Sequence, residues 1–161
     1  MRGLLWQSML MLTALAVLPA FAAPTPVGRW TTFDDDTGKP AAIVEIVETR
    51  AELSGRIVQI FVEPGEDPDP RCKACTGERK DQPVKGMVIL WGFAKRADGG
   101  SNTDYADGHI LDPDNGKIYR SQIRLSEDGN VLNVRGYVGF SVFGRTQVWK
   151  RVKPDAGQAG R

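Results

Sequence analysis

Short apolar runs separated by turn-forming residues constrain this chain most, because no long stretch after residue 22 repeats with the helical period of about 3.6 residues. Residues 112–116 read Asp-Pro-Asp-Asn-Gly, in which proline fixes φ and Asn-Gly accepts positive φ. Residues 34–38, 98–102 and 127–130 are similar turns that contain Asp and Gly. The intervening runs have the length of strands, so the pattern predicts an all-β protein.

Eight antiparallel strands are predicted, joined mostly by short links. Such a sheet must close into a barrel or pack on a second sheet, because free sheet edges favour aggregation. A closed eight-stranded barrel has room for side chains or for one small ligand. Only in residues 117–125 does alternation assign the faces, with two arginines on one side and Tyr119, Ile123 and Leu125 on the other. The predicted strands cover residues 27–33, 42–48, 53–61, 87–95, 105–111, 117–125, 131–138 and 146–152.

The first 22 residues carry the pattern of a cleavable signal peptide. Arg2 supplies a positive start, residues 4–18 form an apolar stretch, and residues 20–22 read Ala-Phe-Ala before the expected cut at Ala23. The apolar stretch is shorter than the roughly 20 residues that span a bilayer, and no cysteine for lipid attachment follows it. We therefore expect a periplasmic or secreted protein without a stable membrane anchor.

The charge of the mature chain is balanced. The full chain has 21 basic and 20 acidic residues, and removal of the signal peptide takes away Arg2, which leaves 20 of each. Nucleic acids attract proteins with a basic excess, so the sequence predicts no nucleic-acid partner. The length fits a single domain over residues 23–153, followed by a flexible tail over residues 154–161.

Cys72 and Cys75 form a Cys-x-x-Cys pair within the long polar segment 63–83. Three interpretations compete: a local disulfide in an oxidising compartment, a thiol–disulfide exchange site, and half of a zinc site. Exchange sites occur at a helix N-terminus in a thioredoxin-like fold, and a zinc site needs two more ligands. We favour the disulfide, and we expect no metal site and no cofactor.

His109 is the only histidine, and its position near Asp112 offers a general base oriented by a carboxylate. No nucleophile signature such as Gly-x-Ser-x-Gly accompanies the pair, so we expect no catalytic residues and no enzyme. Asp112 and Asp114 also match the start of a calcium loop, but the glycine and glutamate that such a loop needs later are missing. A hairpin turn is the interpretation that remains.

Aromatic residues occur in nearly every predicted strand. On a closed sheet they either fill the interior or line a pocket. The segment 87–93 is also apolar on both faces, which predicts that both of its faces are covered. The residues that we expect to line a ligand pocket are Trp91, Tyr105, Tyr119, Tyr137 and Phe143.

Several motifs together resemble one bacterial family. Residues 28–30 read Gly-Arg-Trp, and residues 72–77 read Cys-Lys-Ala-Cys-Thr-Gly. Residues 107–119 read Asp-Gly-His-Ile-Leu-Asp-Pro-x-x-Gly-Lys-x-Tyr, and residues 144–151 read Gly-Arg-Thr-Gln-Val-Trp-Lys-Arg. This set resembles the secreted bacterial family known as domain of unknown function 2147 (DUF2147), over residues 27–152.

The resemblance implies an exported, lipocalin-like (calycin) antiparallel barrel and no established activity. In lipocalins a Trp of the first strand closes one barrel end, and a basic residue of the last strand packs across its face in a cation–π contact. By that analogy Trp30 pairs with Arg151 or, as the second choice, with Arg145. Such a fold does not by itself specify a function.

Three functions follow as hypotheses. The first is the binding of a small, partly apolar ligand in the mouth of the barrel. The alternative is a cell-envelope interaction module that uses the cysteine segment and residues 136–144, in which Phe140 and Phe143 look exposed. The third is a redox enzyme acting through the cysteines, or a hydrolase acting through His109 and Asp112.

Overall fold

The computed structural model describes residues 23–96 and 104–153. The predicted signal peptide, the predicted tail and the predicted turn at residues 98–102 lie outside these described residues. Eight strands and one short 3-10 turn, Gly77–Arg79, make up the regular structure of the described part. The strands are β1 (Gly28–Phe33), β2 (Pro40–Thr49), β3 (Glu52–Ile60), β4 (Val88–Lys95), β5 (Asp104–Asp112), β6 (Lys117–Leu125), β7 (Val131–Tyr137) and β8 (Gly144–Arg151).

The eight strands close into one antiparallel barrel in chain order. Each strand pairs with the next, and β1 completes the ring by pairing with β8 through Trp30 opposite Arg151. Closure removes the free edges that an open eight-stranded sheet would expose. The all-β class, the barrel and all eight predicted strands are confirmed, with strand ends that differ from the prediction by at most two residues.

The barrel has two unlike ends because consecutive hairpin turns alternate between them. At the closed end, β1 begins, β8 finishes, and the β2–β3 and β6–β7 turns cross. At the open end lie the β1–β2 loop, the β5–β6 turn, the β7–β8 loop and the long β3–β4 segment that contains the cysteines.

Large apolar side chains fill the half of the barrel that is nearer the closed end. Gly108 in β5 makes room for the Phe93 ring, since a Cβ on this glycine would lie 2.4 Å from ring atoms. The alternation predicted for β6 is also confirmed, because Ile123 and Leu125 are buried whereas Arg120 and Arg124 are exposed. The fully buried side chains of this half are Trp30, Ile46, Leu53, Leu90, Phe93, Leu132 and, at 2% exposure, Ile123 and Leu125.

Arg151 seals the closed end against Trp30. Its guanidinium carbon lies 4.2 Å from the centre of the indole ring, and its nitrogens donate to the carbonyl oxygens of Gly129, Val27 and Thr25. The indole Nε1 donates to the carbonyl oxygen of Pro26 at 2.8 Å. One side chain thus ties the start of the domain, the β6–β7 turn and the last strand together.

The second choice for the partner of Trp30, Arg145, is wrong. Arg145 is the second residue of β8 and lies at the open end, where its guanidinium is 2.8 Å from the Asp35 carboxylate. Because β8 runs the length of the barrel from Arg145 to Arg151, only the later arginine reaches the closed end.

Candidate functional site

A cavity of about 1120 Å³ occupies the other half of the barrel and opens at the open end. This volume is of the size that holds a small molecule. The cavity begins where the filled half stops, so the barrel interior is packed towards the closed end and hollow towards the open end. Its apolar wall is built from Ala42, Val44, Ile57, Ile60, Val84, Ile89, Ile110, Leu111, Val134 and Trp149.

Ion pairs and hydrogen bonds connect the loops around the opening. Lys39 of the β1–β2 loop lies 2.7 Å from Glu63 of the β3–β4 segment. Asp35 of the same loop pairs with Arg145 and also accepts a hydrogen bond from Gln147 at 2.9 Å. These contacts join the β1–β2 loop to the two segments that flank it at the open end, the β3–β4 segment and the start of β8, so the rim is held in a defined shape.

The rim carries more acid than base. Among the charged residues that border the cavity, seven are acidic and four are basic. Burial, together with the nearby charges of Asp112 and Asp34, raises the pKa of the Asp114 carboxyl. At Asp34 the balance differs, because hydrogen bonds from the Thr37 side chain and backbone lower the pKa of its carboxyl. A negative potential at the opening disfavours anionic ligands and favours cationic ones.

The Cys72–Cys75 disulfide is confirmed, with a Cα–Cα distance of 5.3 Å. Both cysteines are buried, and Cys72 Sγ lies 3.1 Å from the Pro113 carbonyl oxygen in the β5–β6 turn. Gly116 completes this contact, since a Cβ there would lie 2.1 Å from the Ala74 carbonyl oxygen. The disulfide therefore holds one wall of the cavity against the β5–β6 turn.

Three of the five aromatic residues predicted to line the pocket do border the cavity: Tyr119, Tyr137 and Phe143. The prediction is wrong for Tyr105, which is buried in the packed core opposite Ile123, below the cavity. It is also wrong for Trp91, which packs on the outer wall. The physical reason differs in the two cases: Tyr105 points inward at the wrong depth, and Trp91 points outward.

Trp91 lies between His109 and Arg79 on the outside of the barrel. The His109 and Trp91 rings stack with centres 5.7 Å apart, and the Arg79 guanidinium lies 4.8 Å from the indole ring. The 3-10 turn after the disulfide thus covers the outer face of β4, as its two-sided apolar pattern predicts. His109 contributes to this stack and does not border the cavity.

Two features of the site were not predicted from sequence. The acidic turns at residues 34–36 and 112–114 border the same opening. The sequence indicates this, because consecutive hairpin turns alternate between the two ends of a barrel and these turns follow β1 and β5. Ser121 Oγ is fully buried inside the barrel and has no hydrogen-bond partner among the described residues. No three His, Cys, Asp or Glu side chains of residues 23–96 and 104–153 are grouped so as to hold a metal ion.

Residues 28–151 match the sequence model of a bacterial family described as "Uncharacterized protein conserved in bacteria (DUF2147)". The chain belongs to this family. The match spans all eight strands, from the first residue of β1 to the last residue of β8. It confirms the family that the motifs of residues 28–30, 72–77, 107–119 and 144–151 resemble. None of the curated proteins matches the chain.

The solved structure of a protein from Helicobacter pylori has the same fold. Its title reads "Protein HP1028 from the human pathogen Helicobacter pylori belongs to the lipocalin family". The two chains superpose with a TM-score of 0.66 at 19% sequence identity, over 79% of this chain and 82% of the other. This likeness confirms the lipocalin-like barrel. In the described part of the chain, no helix has the length and hydropathy to cross a membrane.

Proposed function

We propose that this protein is an exported barrel that binds a small, partly apolar ligand in the cavity at its open end. The observation that carries the proposal is the division of the interior, in which the packed half ends in an apolar floor and the other half is hollow. A core packed throughout would give more stability, so a cavity kept at one end is typical of binding.

The compartment is part of the proposal. Residues 1–22 have the pattern of a signal peptide, and disulfides persist in oxidising compartments such as the periplasm. The Cys72–Cys75 disulfide, in which both cysteines are buried, is consistent with such a compartment. Binding rather than catalysis is the simpler use of the site, since His109 packs in an aromatic stack on the outer wall.

The ligand has a neutral or positively charged polar end. Its apolar part lies against residues such as Ile110, Val134 and Trp149, and its polar end lies at the acidic rim. Burial is the main cause of the raised pKa of Asp114, and repulsion by the Asp112 and Asp34 carboxylates adds to it. A cationic group at this opening would relieve that repulsion. A carboxylate at the same place would add to it.

Thermal unfolding with three ligands of equal chain length tests this proposal: dodecyltrimethylammonium and dodecanoate below their micellar concentrations, and dodecanol below its solubility limit. We expect the first two ligands to raise the Tm saturably. At a ligand concentration one hundred times Kd, the free energy of unfolding should increase by about 3 kcal/mol. Dodecanoate should stabilise less. Absence of saturable stabilisation by all three would overturn the proposal, and equal effects would overturn only the assignment of charge.

Matched acid-to-amide variants provide the control. Asp114→Asn changes a carboxyl at the rim, and Asp128→Asn changes one in the β6–β7 turn at the closed end. Asp114→Asn should reduce the difference between the stabilisation by dodecyltrimethylammonium and the stabilisation by dodecanoate. Asp128→Asn should leave this difference unchanged. The alternative function, an envelope protein-interaction module, rests on the β7–β8 loop and is separated by the experiment in the next section.

A further inference from the structure

The β7–β8 loop exposes an unusual amount of apolar surface. Val138, Phe140, Val142 and Phe143 are 70–79% exposed, and they are the most exposed large hydrophobic side chains among the described residues. Scattered apolar residues are normal on a protein surface, but four in one loop form a patch. We call residues 138–143 the apolar loop.

The apolar loop is held in place by a charged residue beneath it. Arg135 of β7 donates from Nε to the Ser141 carbonyl oxygen at 2.8 Å and from Nη2 to the Val142 carbonyl oxygen at 3.1 Å. A third nitrogen donates to Thr146 Oγ1 of β8 at 2.9 Å. One guanidinium therefore fixes the turn from both strands, and the outward position of its apolar side chains is part of the fold.

The apolar loop is continuous with the cavity. Val138 and Phe143 border the cavity and are at the same time exposed to solvent, whereas Phe140 and Val142 lie outside the cavity. The loop thus joins the apolar interior to the outside at the open end. A surface that contacts the loop would also face the entrance of the cavity.

The chemistry of the loop fits a lipid surface. Residues 136–144 contain no charged side chain, so the tip can enter an apolar phase without burying a charge. Arg135 and Arg145 flank these residues in the sequence, and the Arg145 guanidinium pairs with Asp35. Four side chains present on the order of 500 Å², whereas a stable protein interface needs about 800 Å² from each partner.

We propose that the apolar loop docks the open end of the barrel on a phospholipid surface, so that the ligand passes between bilayer and cavity. The inference rests on the proposed ligand-binding function, which supplies the reason for bringing the cavity entrance to a bilayer. Docking is peripheral and reversible, because one short loop buries far less apolar surface than a spanning segment.

Sedimentation with phosphatidylcholine vesicles tests the proposal on the mature protein. Phe140→Ser combined with Val142→Ser should lower the partition coefficient about tenfold or more, since each side chain loses most of its transfer free energy. The matched control is Val47→Ser combined with Val148→Ser, which removes two exposed valines from the outer wall. This control should partition as the unchanged protein does.

Three results would overturn the proposal. One is an absence of vesicle binding by the unchanged protein, and another is equal partitioning of the Phe140/Val142 and Val47/Val148 variants. The third is a dimer, detected by sedimentation velocity without vesicles, that dissociates when Phe140 and Val142 are changed. This result would mean that the loop contacts a second copy of the chain. Sedimentation as a monomer with loop-dependent vesicle binding supports the proposal.

Ligand binding in solution separates this inference from the proposed function. Phe140 and Val142 do not border the cavity, so their variant should still be stabilised by dodecyltrimethylammonium as strongly as the unchanged protein. If vesicle binding depends on the loop but no ligand stabilises the barrel, docking stands and the ligand-binding function fails. The reverse result removes docking alone.

Discussion

At the scale of single residues, Arg151 makes a large expected contribution to stability at the closed end. It stacks on Trp30 and donates to three carbonyl oxygens at the closed end, and burial lowers the pKa of its guanidinium without removing its charge. We expect Arg151→Ala to reduce the free energy of unfolding by about 2–4 kcal/mol in urea titrations.

Arg151→Lys is the matched control, because it keeps the charge and loses the planar fork. Its free energy of unfolding should lie between those of the unchanged protein and the alanine variant. A lysine variant as stable as the unchanged protein would mean that the planar guanidinium, with its stacking and its fork of donors, contributes nothing beyond its charge.

Ser121 has a buried hydroxyl with no hydrogen-bond partner among the described residues. A buried polar group without a partner is destabilising, so Ser121→Ala should raise the free energy of unfolding by about 1 kcal/mol. Ser126→Ala serves as the control, since Ser126 Oγ donates to Asp128 and accepts from the Val131 amide, and its loss should be destabilising. A less stable Ser121→Ala variant would mean that water satisfies this hydroxyl.

Asp114 gives a pH dependence with a definite sign. Its carboxyl has a pKa raised above the ordinary 3.8, so the folded chain binds this proton more tightly than the unfolded chain does. Its ionised form is therefore destabilising at neutral pH, and the penalty disappears as the pH falls through the folded pKa. The side chain remains exposed, so the effect is on the order of a few tenths of a kcal/mol.

We expect Asp114→Asn to be slightly more stable than the unchanged protein at pH 7, by a difference that shrinks as the pH falls through the folded pKa of Asp114 and is gone at about pH 3, below the ordinary value of 3.8. Thermal unfolding across this range measures the difference. A difference that grows as the pH falls would contradict the assigned direction of the pKa shift.

At the scale of elements, the segment between β3 and β4 depends on its disulfide. The disulfide closes a very short loop, so its chain-entropy contribution is about 2 kcal/mol or less. Its larger effect should be local, because Cys72 and Cys75 belong to the buried core and hold the β5–β6 turn.

We expect Cys72→Ala combined with Cys75→Ala to leave the barrel folded and to increase proteolysis between β3 and β4 several-fold. Limited trypsin digestion followed by mass spectrometry locates the cuts, with Arg71, Lys73 and Arg79 as sites in this segment. Cuts distributed equally over the whole barrel would instead show that the disulfide supports the fold globally.

Most strands could be predicted from sequence because turns such as residues 34–38, 112–116 and 127–130 carry Asp followed by Gly, whereas the β2–β3 turn, Arg50–Ala51, carries no such signal. The positions of side chains within the barrel could be predicted only where alternation is regular, as in β6. In β4, Leu90 and Phe93 are both buried although they are three residues apart, so alternation breaks between them and Trp91 points outward. Alternation along a strand indicates which face a side chain is on but not its position along the barrel axis, so the depth of Tyr105 could not be predicted.

At the scale of the whole molecule, the central feature is a barrel that is packed at one end and hollow at the other. Trp30 and Arg151 close the packed end, and the acidic rim and the apolar loop surround the open end. The family match covers this entire barrel, whereas a fold shared at 19% identity does not specify the ligand. The function therefore depends on whether the hollow half is occupied.

The fluorescence of phenylnaphthylamine, an uncharged apolar dye, measures that occupancy directly. We predict saturable binding to the unchanged protein and at least about tenfold weaker binding to Ile110→Trp, whose indole would project into the cavity and occupy part of the space beside the apolar wall. Ile118→Trp, which adds the same side chain at an exposed position of β6, should bind as the unchanged protein does. Equal dye binding by the Ile110 and Ile118 variants would contradict a ligand site inside the barrel.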